Sequence, residues 1–174
     1  MGFFRKLFGK GDEESRARAA ERYAMAGVAS PDRIGYDPKL VPSLQRDHAE
    51  LGGIYHRIGE LHEAGGNYDE IRALLINFKS RLEAHLLTEN VLFYNYLEQS
   101  LPDDSGNNQV MRDFRREMNQ IARQVIDFVK RYQSCDFNAA ERARFTSDHA
   151  AVGRILEQRL DREENNLYPL YRAA

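Results

Sequence analysis

Arg81-Leu-Glu-Ala-His-Leu-Leu-Thr-Glu-Asn90 is the stretch on which the fold turns. With its flanks it sets Ile71, Leu75, Phe78, Leu82, His85, Glu89, Leu92 and Tyr96 at alternating steps of four and three, the inward seam of a long amphipathic helix. His85 and Glu89 therefore stand where apolar side chains are expected. A carboxylate on a buried seam is strongly unfavourable unless it is paired, hydrogen-bonded, protonated or bound to a cation.

Three further seams of the same period flank this one. A first helix is expected to start around Val41-Pro42-Ser43 and to carry Leu44, His48, Leu51, Tyr55, Ile58 and His62 inward before Gly65-Gly66 stops it. Gly52 and Gly53 interrupt its middle, which predicts a close backbone approach or a bend there. The second helix opens at Asn67, with Glu70 as a capping-box partner, and runs to about Leu101. Pro102 to Asn108 is a turn-forming loop. Met111, Phe114, Met118, Ile121, Val125, Phe128 and Tyr132 define a third helix ending near Ser134. A fourth, from about Asn138, carries Phe145, His149, Val152, Leu156, Leu160, Glu164 and Leu167 before Pro169. No strand-like alternation competes, so the expected fold is all-α, an antiparallel up-down-up-down four-helix bundle with inward side chains of facing helices available to build a site.

An appendage precedes the bundle. Phe3, Phe4, Leu7 and Phe8 lie on one side of a short helical segment flanked by Arg5, Lys6 and Lys10. Residues 1–10 are thus suited to a membrane surface or a protein partner's groove, or fold back on their own domain. Ser15 to Ala26 has high helix propensity, and Pro31, Gly35, Pro38 and Pro42 mark a connector. The boundary falls near Tyr36, dividing the chain into an arm, short helix and connector over 1–40 and a bundle over 41–174.

Bulk properties narrow the classes. Charged residues make up 30% of the 174 and nearly cancel, at net −2, so nothing marks a nucleic-acid surface. The single Cys135 excludes an intramolecular disulfide and multi-cysteine zinc patterns. Neither a membrane span nor a signal-peptide core stands out, and a cytoplasmic protein is expected, at most peripheral to the inner face of the membrane through residues 1–10.

Up-down topology also fixes heights. His48, early in the first helix, and His85, Glu89 and Glu164, late in the second and fourth, fall toward one end of the bundle. His62 is 14 residues beyond His48, roughly 21 Å along the axis, so it belongs with His149 and Tyr132 at the other end. Two imidazoles and two carboxylates from three helices suit iron, manganese or zinc. A hydrogen-bonded polar layer with Tyr96, Tyr168 or water explains the same residues without a metal. Arg159 and Arg162 can also neutralise the neighbouring carboxylates. His62 and His149 are expected to be hydrogen-bonded residues at the edge of the core, His56 to face solvent, and Cys135 to have no redox role.

Gln45-Arg-Asp-His48-Ala-Glu-Leu51, Leu82-Glu-Ala-His85-Leu-Leu-Thr-Glu89-Asn-Val-Leu-Phe93 and Arg162-Glu-Glu164-Asn-Asn-Leu-Tyr-Pro169 resemble the hemerythrin-like (HHE cation-binding) family over about Val41 to Tyr171. The resemblance implies a four-helix bundle with a non-haem di-iron centre, used to bind oxygen or to sense oxygen or iron. Its pattern has two similar halves, each with a His on one helix and a His-x-x-x-Glu-like pair on the next. Here His48, His85 and Glu89 match the first half and Glu164 matches the second carboxylate, while Met118 and Leu160 fall where two further histidines are implied. What the resemblance implies is thus an incomplete site, holding at most one iron through His48, His85, Glu89 and Glu164, in a sensing or regulatory protein rather than an oxygen carrier. The alternative is a metal-free adaptor or regulator acting through residues 1–10. No nucleophile and base pair or phosphate loop defines an enzymatic reaction.

Overall fold

The computed structural model describes residues 34–101 and 106–173. Helix α1 spans Leu40–Glu63. Helix α2 covers 68–100 in three segments, α-helical over Tyr68–Thr88, π-helical over Glu89–Tyr94 and α-helical again over Asn95–Ser100. Helix α3 is Gly106–Gln133. Helix α4 is α-helical over Ala139–Arg162 and π-helical over Glu163–Leu167, and a 3-10 turn, Tyr168–Leu170, follows it. Each helix packs on the next, and α1 also packs on α4, which closes the four-helix bundle; the described residues contain no strand. None of their helices is long and apolar enough to cross a membrane. The amphipathic arm of residues 1–10 and the helix expected over Ser15 to Ala26 lie outside the described residues.

The helix ends follow from local chemistry. Asn67 caps α2, its Oδ1 accepting the Asp69 N–H at 2.9 Å, and Asn138 caps α4 by accepting from Ala140 and Glu141. Such caps contribute about 1 kcal/mol each. Helix α1 begins three residues after Asp37, whose carbonyl and side chain accept the Leu40 and Lys39 N–H groups. It ends where Gly65 adopts φ 69°, a left-handed conformation that favours glycine. Gly66 N–H then donates back to the Leu61 carbonyl, so close that a Cβ on Gly66 would lie 2.7 Å from that oxygen. The expected close approach at Gly52 and Gly53 is absent, since no atom lies within 4 Å of a Cβ built at either. The tight contacts sit one or two turns on and across the interface: a Cβ on Gly59 would meet His149 Cε1 at 2.9 Å, and one on Gly153 would meet Tyr55 Cε1 at 3.1 Å.

The apolar core is in two parts. The larger, through the body of the bundle, includes Leu51, Ile58, Leu75, Phe78, Val125, Phe128 and Phe145. The smaller fills one end with Leu40, Leu44, Phe93, Tyr94, Met111, Phe114, Leu167 and Tyr171. Tyr36 and Tyr96 pack on Tyr171, whose hydroxyl accepts the Asp37 N–H at 3.0 Å, so the entrance to α1 is fastened to the chain beyond α4. Between the two apolar masses the inward positions of α1, α2 and α4 are polar: His48, His85, Glu89, Arg159 and Glu163, all buried.

Candidate metal centre

Each histidine of this layer turns Nε2 toward the middle and Nδ1 toward a carboxylate. His48 Nε2 and His85 Nε2 are 3.3 Å apart. His48 Nδ1 lies 2.8 Å from Glu164 Oε1, and His85 Nδ1 lies 3.7 Å from Asp47 Oδ2. Because an ionised carboxylate only accepts, the short contact puts a proton on His48 Nδ1, and in the neutral ring this leaves the Nε2 lone pair facing inward. A carboxylate behind the outer nitrogen is the usual device for aiming an imidazole at a metal.

Glu163 completes the inner group. Its Oε2 is 3.4 Å from His48 Nε2, and one ligand atom from each of His48, His85 and Glu163 falls within 4.8 Å of the others. Two donors held at about 2.1 Å from one ion, with an angle near the tetrahedral value, stand about 3.4 Å apart, so the spacing fits ligands of a single cation. Both oxygens of Glu89 are buried with no donor in hydrogen-bonding geometry among the described residues, while Glu163 is met from one side by Arg159. Buried carboxylate oxygens are rarely left in that condition. An ion seated between the imidazoles and these oxygens would satisfy them, so the residues fit a metal.

Arg159 supplies a permanent positive charge to the same layer. Its Nη2 is 2.5 Å from Glu163 Oε1 and donates to the Tyr94 hydroxyl at 3.2 Å, while the guanidinium covers the face of Phe114 at 4.5 Å. The residue is 1% exposed. Burial pushes the Glu163 carboxyl up, but the His48 hydrogen bond and the charges of Arg159, His85 and His48 outweigh it and hold the group below its ordinary value. Glu89 has no such rescue: burial, then repulsion from Glu163, drives it well above the carboxylate range despite Arg159. Burial alone would lower His48, yet its hydrogen bonds to Glu163 and Glu164 and their charges raise it. Burial, followed by the charges of Glu89 and Glu163, raises the Tyr168 phenol, whose oxygen lies 3.1 Å from His48 Nε2. The metal-free layer therefore pairs Arg159 with Glu163 and favours the neutral form of Glu89.

Of the residues singled out in the sequence, His48, His85 and Glu89 share this layer. Glu164 is half-buried, with a side chain 36% exposed, and stands behind His48. The inward carboxylate of α4 is Glu163, and the inward residue one turn earlier is Arg159, with Leu160 only half-buried. A signal for Glu163 was present. Glu89 is followed at four and five residues by Phe93 and Tyr94, and Glu163 by Leu167 and Tyr168, and all four followers are buried. His85-x-x-x-Glu89 thus corresponds to Arg159-x-x-x-Glu163, and each carboxylate opens a π-helical segment. Such segments occur frequently at functional sites.

The other histidines form no second cluster with metal-ligand spacing among the described residues. His62 Nε2 bonds Thr146 Oγ1 at 2.8 Å. His149 Nε2–H donates to the Tyr55 carbonyl at 3.1 Å, and its ring stacks on Tyr55 at 4.2 Å. Tyr132 donates to Asp148 at 2.6 Å. His56 is exposed, and Cys135 is half-buried and free, with Tyr68 Oη 3.5 Å from its sulfur.

The family model described as the hemerythrin HHE cation binding domain matches residues 39–171. That span runs from the N-cap of α1 through the 3-10 turn after α4 and contains every residue of the polar layer. No curated protein and no solved structure matches the chain.

Proposed function

The chain belongs to the hemerythrin HHE cation-binding family, and on that premise we propose that it holds one iron ion in the polar layer and serves as a sensing or regulatory protein. His48 Nε2, His85 Nε2 and Glu163 are the inner donors, Glu89 is buried in the same layer, and Glu164 orients His48. Arg159 carries the single-ion reading. It stands beside the carboxylates as a fixed cation, on the turn where α4 would otherwise offer an imidazole, and so supplies one positive charge itself. The deep seam residue Met118 on α3 offers no ligand suited to iron either.

Bound iron would supply a Lewis-acidic position and an oxidation state that responds to the surroundings. The chain contributes the rest: Glu164 behind His48 fixes the direction of that imidazole, and apolar masses enclose the layer along the bundle axis. Protein reconstituted anaerobically with ferrous iron and freed of excess is expected to retain about one equivalent. His85→Ala, checked for native helicity, is expected to retain none. Two equivalents in the wild type, or none, would refute the proposal.

The ion pair of Arg159 with Glu163 also supports a second reading, a metal-free bundle acting through a partner or membrane surface bound by residues 1–10. Deleting those residues would then abolish binding to the partner or to anionic vesicles without changing the thermal midpoint.

A further inference from the structure

A cavity of about 350 Å³ opens between α1 and α4 and reaches inward to the polar layer. Its mouth is formed by Gly52 and His56 of α1 and Ala150, Arg154 and Glu157 of α4, all exposed. Its walls are apolar, contributed by all four helices. Its inner end meets His85 and Arg159, which are 2% and 1% exposed. Protein interiors are close-packed, and a void of this size is at the lower end of pockets that take small molecules.

Two observations say what kind of molecule fits. The Nε and Nη1 hydrogens of Arg159 have no acceptor, the nearest carboxylate oxygen to Nη1 being Glu117 Oε2 at 3.9 Å. Nη1 lies on the Cδ side of the Nε–Cζ bond and the Nε hydrogen on the other, so each is available to give a single charge-assisted hydrogen bond to an anionic head. Gly52, at the mouth, has no atom within 4 Å of a Cβ built on it. Packing therefore does not impose glycine there, although it weakens the middle of a helix; its effect is to leave the entrance open.

We propose that this cavity binds a small apolar monocarboxylate, its hydrocarbon body among Leu51, Phe78, Leu82, Met118, Leu156 and Leu160 and its carboxylate on an unpaired N–H of Arg159. The site goes beyond the iron centre and needs no metal. An apolar body matches the walls, and one acidic head suits an unpaired guanidinium N–H at the inner end. Arg154 at the entrance favours approach of an anion, with Glu157 opposing.

The test uses full-length protein stripped of metal, so its outcome is independent of iron binding. Octanoate is titrated calorimetrically, with octanol as the uncharged probe of the same length. One octanoate per chain is expected with a dissociation constant below about 1 mM, and octanol at least about ten-fold weaker, the factor that loss of one charge-assisted contact gives. Leu156→Trp fills the cavity and Gly52→Val narrows its mouth; each, if folded by circular dichroism, is expected to lose at least about ten-fold in octanoate affinity. Should Leu156→Trp not fold, Gly52→Val decides alone. Absence of saturable binding to the wild type, octanol binding as tightly as octanoate, or undiminished affinity in the folded variants would each overturn the assignment.

Discussion

Replacing Arg159 by methionine in the metal-free protein tests the charge balance of the layer directly. Methionine keeps most of the contact with Phe114 but removes the guanidinium 2.5 Å from Glu163 Oε1. Glu163 is then a buried carboxylate with no fixed cation beside it. Breaking a buried pair from one side costs about 3–5 kcal/mol, a large share of the roughly 5–15 kcal/mol that stabilises a domain. At about 3 °C per kcal/mol for a chain of this size, the midpoint should fall by about 10–15 °C. Arg162→Met is the control. Arg162 also covers Phe114, but its bonds to Glu117, at 2.5 and 2.7 Å, join side chains 45% and 37% exposed. Such a surface bridge contributes about 0.2–1 kcal/mol, so the control should shift by only a few degrees. The double variant Arg159→Met/Glu163→Leu, which leaves no orphaned charge on Glu163, should regain most of the loss. Differential scanning calorimetry of the four proteins reads all of this. An Arg159→Met midpoint within about 2 °C of wild type, or a larger effect at Arg162, would show that the guanidinium does not hold this carboxylate.

Glu164→Gln should leave the iron stoichiometry at about one and weaken the affinity by about 10–100-fold, the usual effect of losing a carboxylate behind a ligating imidazole; competition against a chelator measures it, and unchanged affinity would remove Glu164 from that role. His149 gives a pH dependence. Burial, opposed by the Tyr55 hydrogen bond, and with the charges of His62, Glu63 and His56 nearby, sets its pKa below the ordinary imidazole value. The unfolded chain therefore takes up the proton first, so this residue's contribution to stability is complete above about pH 6.5 and is lost as pH falls toward the folded value. His62, lowered mainly by burial and then by Arg142, acts with the same sign, and His48, which is raised, with the opposite one. Urea midpoints of metal-free wild type and His149→Asn between pH 8 and 5 isolate the residue: the variant should lose less stability on acidification, and parallel profiles would contradict the assignment.

The seams of α1 and α3 were legible because nothing interrupts their α-helical period: Leu44, His48, Leu51, Tyr55 and Ile58, and Met111 through Tyr132, are all buried where steps of three and four place them. That periodicity, together with the ends at Asn67, Gly65-Gly66 and Asn138, was enough for the four-helix bundle. The site was legible on α1 and α2, through His48, His85 and Glu89. On α4 two tracks fitted the same stepping after Leu156, one through Leu160 and Glu164 and one through Arg159 and Glu163. Hydrophobicity favours the first, since it buries a leucine and exposes an arginine. The protein takes the second because Arg159 and Glu163 neutralise each other in the core, a pairwise effect that a residue-by-residue pattern does not contain. A similar slip occurs beyond Glu89, where the π-helical turn puts Phe93 inward and leaves Leu92 half-buried.

A π-helical turn carries one residue more than an α-helical turn, and α2 and α4 each contain such a turn at the polar layer. The surplus residue is absorbed within that turn, so the helix on either side keeps its face: Phe93, Tyr94 and Leu97 follow Glu89 at four, five and eight residues and are buried, as are Leu167 and Tyr168 at four and five residues after Glu163. Removing one position from 90–92 or from 164–166 would let the rod relax to regular α-helix with these followers at three, four and seven residues, still on the seam. A deletion there is therefore a local lesion, whereas one elsewhere in these helices rotates everything beyond it by about 100°. The carboxylate layer is where these two helices can change length while the aromatic cap beyond it keeps its place.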